Sequence, residues 1–178
     1  VTDGPKVASG LGFALTLEKE IASKNYSGYD DIETEFGLLL PAVHVDHFDV
    51  NVRKLIILIK NNIILTIHDK HITRFVKLSR YANTIFKKIP KKIHTKDKIA
   101  HLLIRIIEEN NEKNFDGLRG IQEQGEIVSR VLVDPVPKSK ELGGNIYKMK
   151  SALLTYLESL WASLDVIQYL RYGDPDQL

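Results

Sequence analysis

The sequence predicts an α/β fold: a mixed β-sheet covered on both faces by helices, as an α/β/α sandwich, followed by a long antiparallel helical hairpin. Three observations carry that reading. Two β-branched runs, Lys54–Lys60 and Ile63–His68, are separated only by Asn61-Asn62, and asparagine tolerates the positive φ that a tight hairpin turn requires. Both runs are apolar at nearly every position, which suits a sheet covered on two faces rather than one with a face open to water. From Thr95 to about Leu132 the apolar residues keep helical spacing for roughly ten turns, and a second helical pattern runs from about Lys138 to Tyr172.

Taken in order, Val1 to Gly12 carries Gly4, Pro5, Gly10 and Gly12 without periodicity and reads as a loop. Phe13 to Ala22 is expected as a short helix and Tyr26 to Asp31 as a turn. Glu35 to Val43 reads as a strand in which Pro41 implies an edge position or a bulge, because proline donates no ladder hydrogen bond. Val43 to Val50 alternates only loosely. Beyond the hairpin, Phe75, Val76, Leu78, Tyr81, Ala82, Ile85 and Phe86 fall at helical spacing from about Ile72 to Lys88, ending at a lysine-proline linker.

In the first long helix Thr95 is placed to cap the start, and Asp97 is favourable in the first turn. Ile99, Leu102, Leu103, Ile106 and Ile107 form one apolar face. The stripe continues through Asn110, Asn114, Leu118, Ile121, Gly125, Val128 and Leu132, polar or small in its middle and large at its two ends. Asp134-Pro135-Val136-Pro137 ends it, since proline does not fit a continuing helix interior. In the second helix Ile146, Met149, Leu153, Leu157, Leu160, Leu164 and Ile167 take steps of three and four, the spacing of a coiled-coil seam. That seam is expected to face the first helix, so Leu157→Ala and Leu160→Ala should each cost about 2 to 5 kcal/mol. Gly143-Gly144 is expected to delay the regular helix until after it, at about 1 kcal/mol per glycine. The organisation expected is a partial α/β domain over 1–94 and a long helical hairpin over 95–178, packed against it and extending from it.

With 43% of 178 residues hydrophobic, the chain has the material for a packed core and is not a disordered sequence. It holds no cysteine, which excludes disulfides, thiolate catalysis and cysteine-ligated zinc. The longest apolar runs, Leu55–Ile59 and Ile63–Ile67, fall far short of the roughly 20 residues that span a bilayer, and no leader opens the chain, so as given it reads as soluble. A net charge of +2 does not imply nucleic acid, and the basic linker Lys87 to Lys98, with no interleaved aromatic for base stacking, reads as a solvated loop, with a membrane-facing patch as the second reading. No Gly-x-Ser-x-Gly elbow, glycine-rich phosphate loop or His-Glu-x-x-His helix appears, and nothing points to an enzyme. His44, Asp46, His47, His68 and His71 include the ligand types of a zinc site. On a strand, however, His44 and Asp46 point one way and His47 the other, so these read as structural or solvated histidines.

The order of features matches a family. Leu15-Thr16-Leu17-Glu18-Lys19-Glu20-Ile21, then Tyr29-Asp30-Asp31-Ile32-Glu33-Thr34-Glu35-Phe36-Gly37-Leu38-Leu39-Leu40, lead into a hairpin, Ile57 to Asp69, whose second strand ends Leu65-Thr66-Ile67-His68-Asp69. A helix, a basic linker and the long helix pair follow, ending Tyr169-Leu170-Arg171-Tyr172-Gly173-Asp174. From about Phe13 onward the chain resembles the cytoplasmic domain of CorA-type magnesium and cobalt channels. The hairpin is the most specific piece. The family's His-Pro before the first motif, its Gly-Met-Asn pore motif, its stalk helix and its two membrane helices have no counterpart in this sequence.

The resemblance implies a cytoplasmic regulatory domain that senses intracellular divalent cation and biases the gate, on the cytoplasmic face of a membrane to which only further helices would tie it. It implies a homo-pentameric parent and no nucleic acid partner. Glu18 and Glu20 stand nearest the family's regulatory acidic position on the first motif, and magnesium, with cobalt as the second candidate, is the implied regulatory cation, bound weakly by this fragment. The alternative is a soluble scaffold whose helical hairpin binds another protein.

Overall fold

The computed structural model describes residues 4–14, 23–75, 84, 87, 94–133, 139–173 and 178, with the backbone alone at 139–141. Its elements are α1 (Gly4–Gly10), β1 (Gly28–Ile32), β2 (Glu35–Asp46), β3 (Asp49–Lys60), β4 (Ile63–His68), α2 (Thr95–Val133) and α3 (Ser139–Tyr172). The short helix expected within 13–22 and most of the one expected over 72–88 lie outside the described residues.

The four strands lie in the order β1-β2-β3-β4, and each neighbouring pair is antiparallel. Among the described residues the sheet is therefore an antiparallel meander and not mixed. The β3–β4 hairpin turns at Asn61-Asn62 with Lys60 opposite Ile63, and Asn61 takes a φ of 53°, as its side chain allows. The loosely alternating 43–50 stretch is a second hairpin, closed by Asp46 opposite Asp49 with His47 at a φ of 55°. Gly28–Ile32 is a strand paired to β2 rather than the expected turn. Edge pairing overrides its turn-like composition.

Strand alternation explains why the runs are apolar throughout. Phe36, Leu38 and Leu40 of β2 share one face with Leu55, Ile57 and Ile59 of β3, packed under Ile99, Leu103 and Ile106 of α2 and Val166 of α3. Leu39, Ile56, Leu58 and Ile67 point the other way, against Ala8 and Phe13. Helices thus cover both faces. The segment expected as a loop is α1, whose Ala8 is buried in that second cluster. Gly4 lets the helix approach β4, since a Cβ there would meet Ile67 Cγ2 at 2.6 Å, and Gly12, at a φ of 80°, supplies the left-handed residue that terminates the helix.

The two long helices fall almost where the periodicity places them, roughly 58 Å and 51 Å long at 1.5 Å per residue. The His94 carbonyl accepts the Lys98 N–H at 3.3 Å, so the cap falls one residue before Thr95. Gly143-Gly144 does not delay α3, which begins at Ser139. Asn114 lies against Tyr156 and Gly125 against Met149, the residue pairing of an antiparallel hairpin.

The face of α3 differs from the one expected. Its buried residues are Ala152, Tyr156, Ser159, Ser163 and Val166, each one position before Leu153, Leu157, Leu160, Leu164 and Ile167 in the predicted seam. The helix is rotated by one residue, about 100°. Leu160 remains partly buried, but Leu157 is 47% exposed. The large truncation cost expected at Leu157 does not apply, because a half-exposed leucine has little buried area to lose. Small residues let α3 approach closely, and Ser159 and Ser163 satisfy their hydroxyls on the carbonyls of Thr155 and Ser159 at 2.9 and 3.1 Å.

Candidate functional site

The polar middle of the α2 stripe sits where the helix crosses the edge of the sheet. Ile99, Leu103 and Ile106 pack on one face with Leu40 and Ala42, whereas Ile121 packs with Val43, which alternation puts on the other. Between them the helix passes the edge of β2 beyond Leu39, the last residue that β1 covers. Pro41 therefore does stand at an edge, although β2 is a central strand.

The exposed ladder groups of that edge are taken up by side chains. The Val43 N–H donates to Asn114 Oδ1 at 2.9 Å. The Pro41 carbonyl accepts from Asn110 Nδ2 at 2.9 Å and Asn114 Nδ2 at 3.2 Å. Arg74 Nη2 donates to the Val43 carbonyl at 2.7 Å, and its Nη1 donates to Asn110 Oδ1 at 3.1 Å and Asn114 Oδ1 at 2.9 Å. The Tyr156 hydroxyl donates to the Asn114 carbonyl, which ties α3 into the same network. Two asparagines thus act as a surrogate strand, and no apolar residue at 110 or 114 could have served, because a buried unpaired backbone group costs about 1 to 3 kcal/mol. Burial pushes the Arg74 guanidinium below its ordinary value, while Glu109 and then Asp116 pull it back. Burial pushes the Tyr156 hydroxyl up to about 12.

Next to this clamp an open cleft of about 790 Å³ lies between the β2–β3 turn, residues 71–74 and the middle of α2. His44, His47, His71, Arg53, Lys113 and Glu123 are among its lining residues. Gly117 makes the closest approach to the strand, where a Cβ would lie 2.8 Å from Val45 Cγ2. Asp116 is held below the usual carboxylate range by its hydrogen bond from Lys113 and then by one from Arg119.

His44, His47 and His71 line this cleft, whereas His68 does not. His47 Nδ1 meets Asp46 Oδ1 at 2.8 Å on the exposed turn, His68 packs at an angle against Phe75, and the His71 N–H caps Asp69 Oδ1 at 2.9 Å. That last bond holds the Asp69 carboxyl low. Among the described residues no three His, Asp or Glu side chains are grouped to hold a metal ion. Glu18 and Glu20 lie outside the described residues. The chain just before them is anchored, with Phe13 buried and the Ala14 N–H donating to the buried Glu35 carboxylate at 2.6 Å. Sequence reasoning marked Asn110 and Asn114 as an interruption of the stripe; it had no signal for Arg74, whose role depends on which strand edge it meets.

A four-stranded meander whose edge is crossed by one arm of a long helical hairpin defines an α/β module carrying a rod, and no described helix is long and apolar enough to cross a membrane. The family model described as CorA-like Mg2+ transporter protein matches residues 7–178, so the chain belongs to that family. It is similar in fold to the soluble domain of CorA from Methanocaldococcus jannaschii, with a TM-score of 0.75 at 21% identity over 99% of this chain and 68% of that one. It is also similar to the complete CorA magnesium transporter of the same organism, with a TM-score of 0.69 at 19% identity over 96% of this chain. The chain spans 52% of that complete transporter. A comparison with curated protein sequences gives no match.

Proposed function

We propose that the chain is the cytoplasmic regulatory domain of a CorA-type divalent metal ion channel, sensing intracellular divalent cation and biasing the gate of its parent. Residues 1–94 would form the sensor part and 95–178 the hairpin that packs against it. Family membership supports the reading, and one structural observation carries it: α3 leaves Leu153, Leu157, Leu164 and Ile167 exposed at coiled-coil spacing, with Trp161 63% exposed beside them. Such a seam is built to meet another helix. A stalk leading toward the membrane is the helix that the family supplies.

The mechanism proposed is electrostatic. Carboxylates at subunit contacts of a homo-pentamer repel one another when empty and are bridged when magnesium, or secondarily cobalt, is bound, which favours the closed and symmetric assembly. Glu18 and Glu20 are the proposed contributors from this chain. With a partner carboxylate still to come from elsewhere, magnesium binds the isolated chain weakly, since an ion that keeps most of its waters gains little from one carboxylate.

Melting curves with and without magnesium test this. A millimolar site stabilises by about 1.4 kcal/mol at ten times its dissociation constant, and that small shift should vanish in Glu18→Gln with Glu20→Gln. A large shift that survives both substitutions places the sensor elsewhere. The same exposed seam favours a second reading, a scaffold whose hairpin binds another protein. The parent reading frame decides between the two: continuation past Leu178 into a long helix, two apolar spans and Gly-Met-Asn supports the channel, and its absence supports the scaffold.

A further inference from the structure

The outward face of α3 is charged along one flank only, and we propose that the helix it receives carries lysine or arginine at seven-residue spacing along the matching flank. This rests on the reading of that face as a seat for a helix. Leu154, Leu157, Trp161 and Leu164 take steps of three, four and three and are all exposed, Leu154 to 51%. At about 100° per residue they stand on the side of α3 opposite the buried Ala152, Tyr156, Ser159, Ser163 and Val166. They are the a and d positions of a heptad whose e positions are Ser151, Glu158 and Asp165, and whose g positions are Ile146, Leu153, Leu160 and Ile167. One flank is therefore acidic and the other apolar.

From 142 to 172 the charged residues of α3 are Lys148, Lys150, Glu158, Asp165 and Arg171. Lys150 and Arg171 continue the d positions at the two ends of the stripe, and Lys148 lines the groove beside the β2–β3 turn. Glu158 and Asp165 are left on the flank, both exposed and in no ion pair among the described residues. Helix α2 lies away from them, because Met149, which meets Gly125 of α2, points about 180° from Glu158. Strand β1 adds to the same sign: Tyr169 stacks on Tyr29 at 3.6 Å, with Asp31 and Asp30 close enough to act on its hydroxyl. Charges on the e and g positions of paired helices select the partner, since opposite signs attract and like signs repel. A second copy of this chain does not qualify. Antiparallel pairing would set the acidic flank against itself, and parallel pairing would set it against the apolar g residues, where a carboxylate loses water without gaining a partner.

Trp161 is the one tryptophan of the chain, so its emission reports directly on this face. Two synthetic helical peptides with the same leucine seam, one with lysine and one with glutamate at every e and g position, are titrated into the full chain. The lysine peptide should move the Trp161 emission to shorter wavelength and bind roughly tenfold more tightly than the glutamate peptide, a difference that high salt should shrink. The chain's net charge of +2 works against that order, so the preference reports the flank and not the whole molecule. Glu158→Gln combined with Asp165→Asn should remove the preference, and Leu154→Ser combined with Leu157→Ser should abolish binding of the lysine peptide. All four side chains are exposed, so the variants should keep the parent's circular dichroism and melting curve. Equal binding of the two peptides, or a preference that survives the first double variant, overturns the proposal and leaves the seat for a helix standing. Binding of neither peptide overturns the seat reading along with it. Self-association of the chain in sedimentation that Trp161→Ala removes would assign the face to a second copy and overturn the proposal too.

Discussion

Replacing Asn114 by alanine tests the edge crossing most directly. The side chain accepts the Val43 N–H, accepts from Arg74 and donates to the Pro41 carbonyl, so three bonds are lost together. The losses are unequal. Pro41 keeps Asn110 Nδ2 at 2.9 Å, and Arg74 Nη1 keeps the carbonyl and Oδ1 of Asn110. The Val43 N–H, by contrast, loses its side-chain acceptor at a buried position, which costs about 1 to 3 kcal/mol. With a weakened charged hydrogen bond added, Asn114→Ala should destabilise by about 2 to 4 kcal/mol. Asn110→Ala leaves Val43 paired and should cost about half as much. Urea denaturation at constant m-value measures both, and in a chain of this size each kcal/mol should move the melting midpoint by about 2 to 4 °C. A loss below about 0.5 kcal/mol for Asn114→Ala, or an equal or larger loss for Asn110→Ala, would refute the idea that Asn114 serves as the surrogate strand.

Three further outcomes are expected. Gly120 has nothing within 4 Å of an added Cβ, so Gly120→Ala should stabilise by about 0.4 to 1 kcal/mol, whereas Gly117→Ala should destabilise because its Cβ would meet Val45 at 2.8 Å; paired melting curves show the opposite signs. On α3, Leu157→Ala should cost less than about 1 kcal/mol and Val166→Ala more than about 2 kcal/mol, and the reverse order in denaturant titration would restore the seam that the sequence suggests. The Tyr156 hydroxyl is raised to about 12 from an unfolded value near 10, so its neutral form contributes stability that is fully present below pH about 10 and is lost as pH rises toward 12, by up to about 2 to 3 kcal/mol. Tyr156→Phe should lack that part of the alkaline loss, and identical alkaline profiles for the two proteins would contradict the burial argument.

Much of this was readable before any tertiary structure, because local physics settles it. The Asn61-Asn62 hairpin follows from two β-branched runs and a residue that accepts positive φ. The α2 helix follows from a stripe whose buried members, Ile99, Leu103, Ile106, Asn110, Asn114, Ile121 and Val128, are the periodic positions themselves. Elements whose propensity and context disagree were not readable. Gly4 and Gly10 resemble loop residues, but α1 forms because Ala8 is buried against the sheet and tertiary packing outweighs a glycine penalty of about 1 kcal/mol. Of the candidate site, the asparagines were visible as a break in the pattern, while their purpose was not.

The sequence by itself determined the β3–β4 hairpin with its Asn61-Asn62 turn, the two long helices, and that both faces of the sheet are covered, since periodicity, turn chemistry and unbroken apolar runs are properties of neighbours along the chain. Only the tertiary structure decided which side of α3 is inside. Two seams at the same spacing lie one residue apart on that helix, Ala152-Tyr156-Ser159-Ser163-Val166 and Leu153-Leu157-Leu160-Leu164-Ile167. Hydropathy favours the second, but the bond from the Tyr156 hydroxyl to the Asn114 carbonyl turns the first inward, and Leu153, Leu157, Leu164 and Ile167 are left exposed. The tertiary structure likewise decided that Arg74, Asn110 and Asn114 meet one strand edge, because that meeting depends on a helix passing from one face of a sheet to the other, a path that spacing along a sequence does not encode.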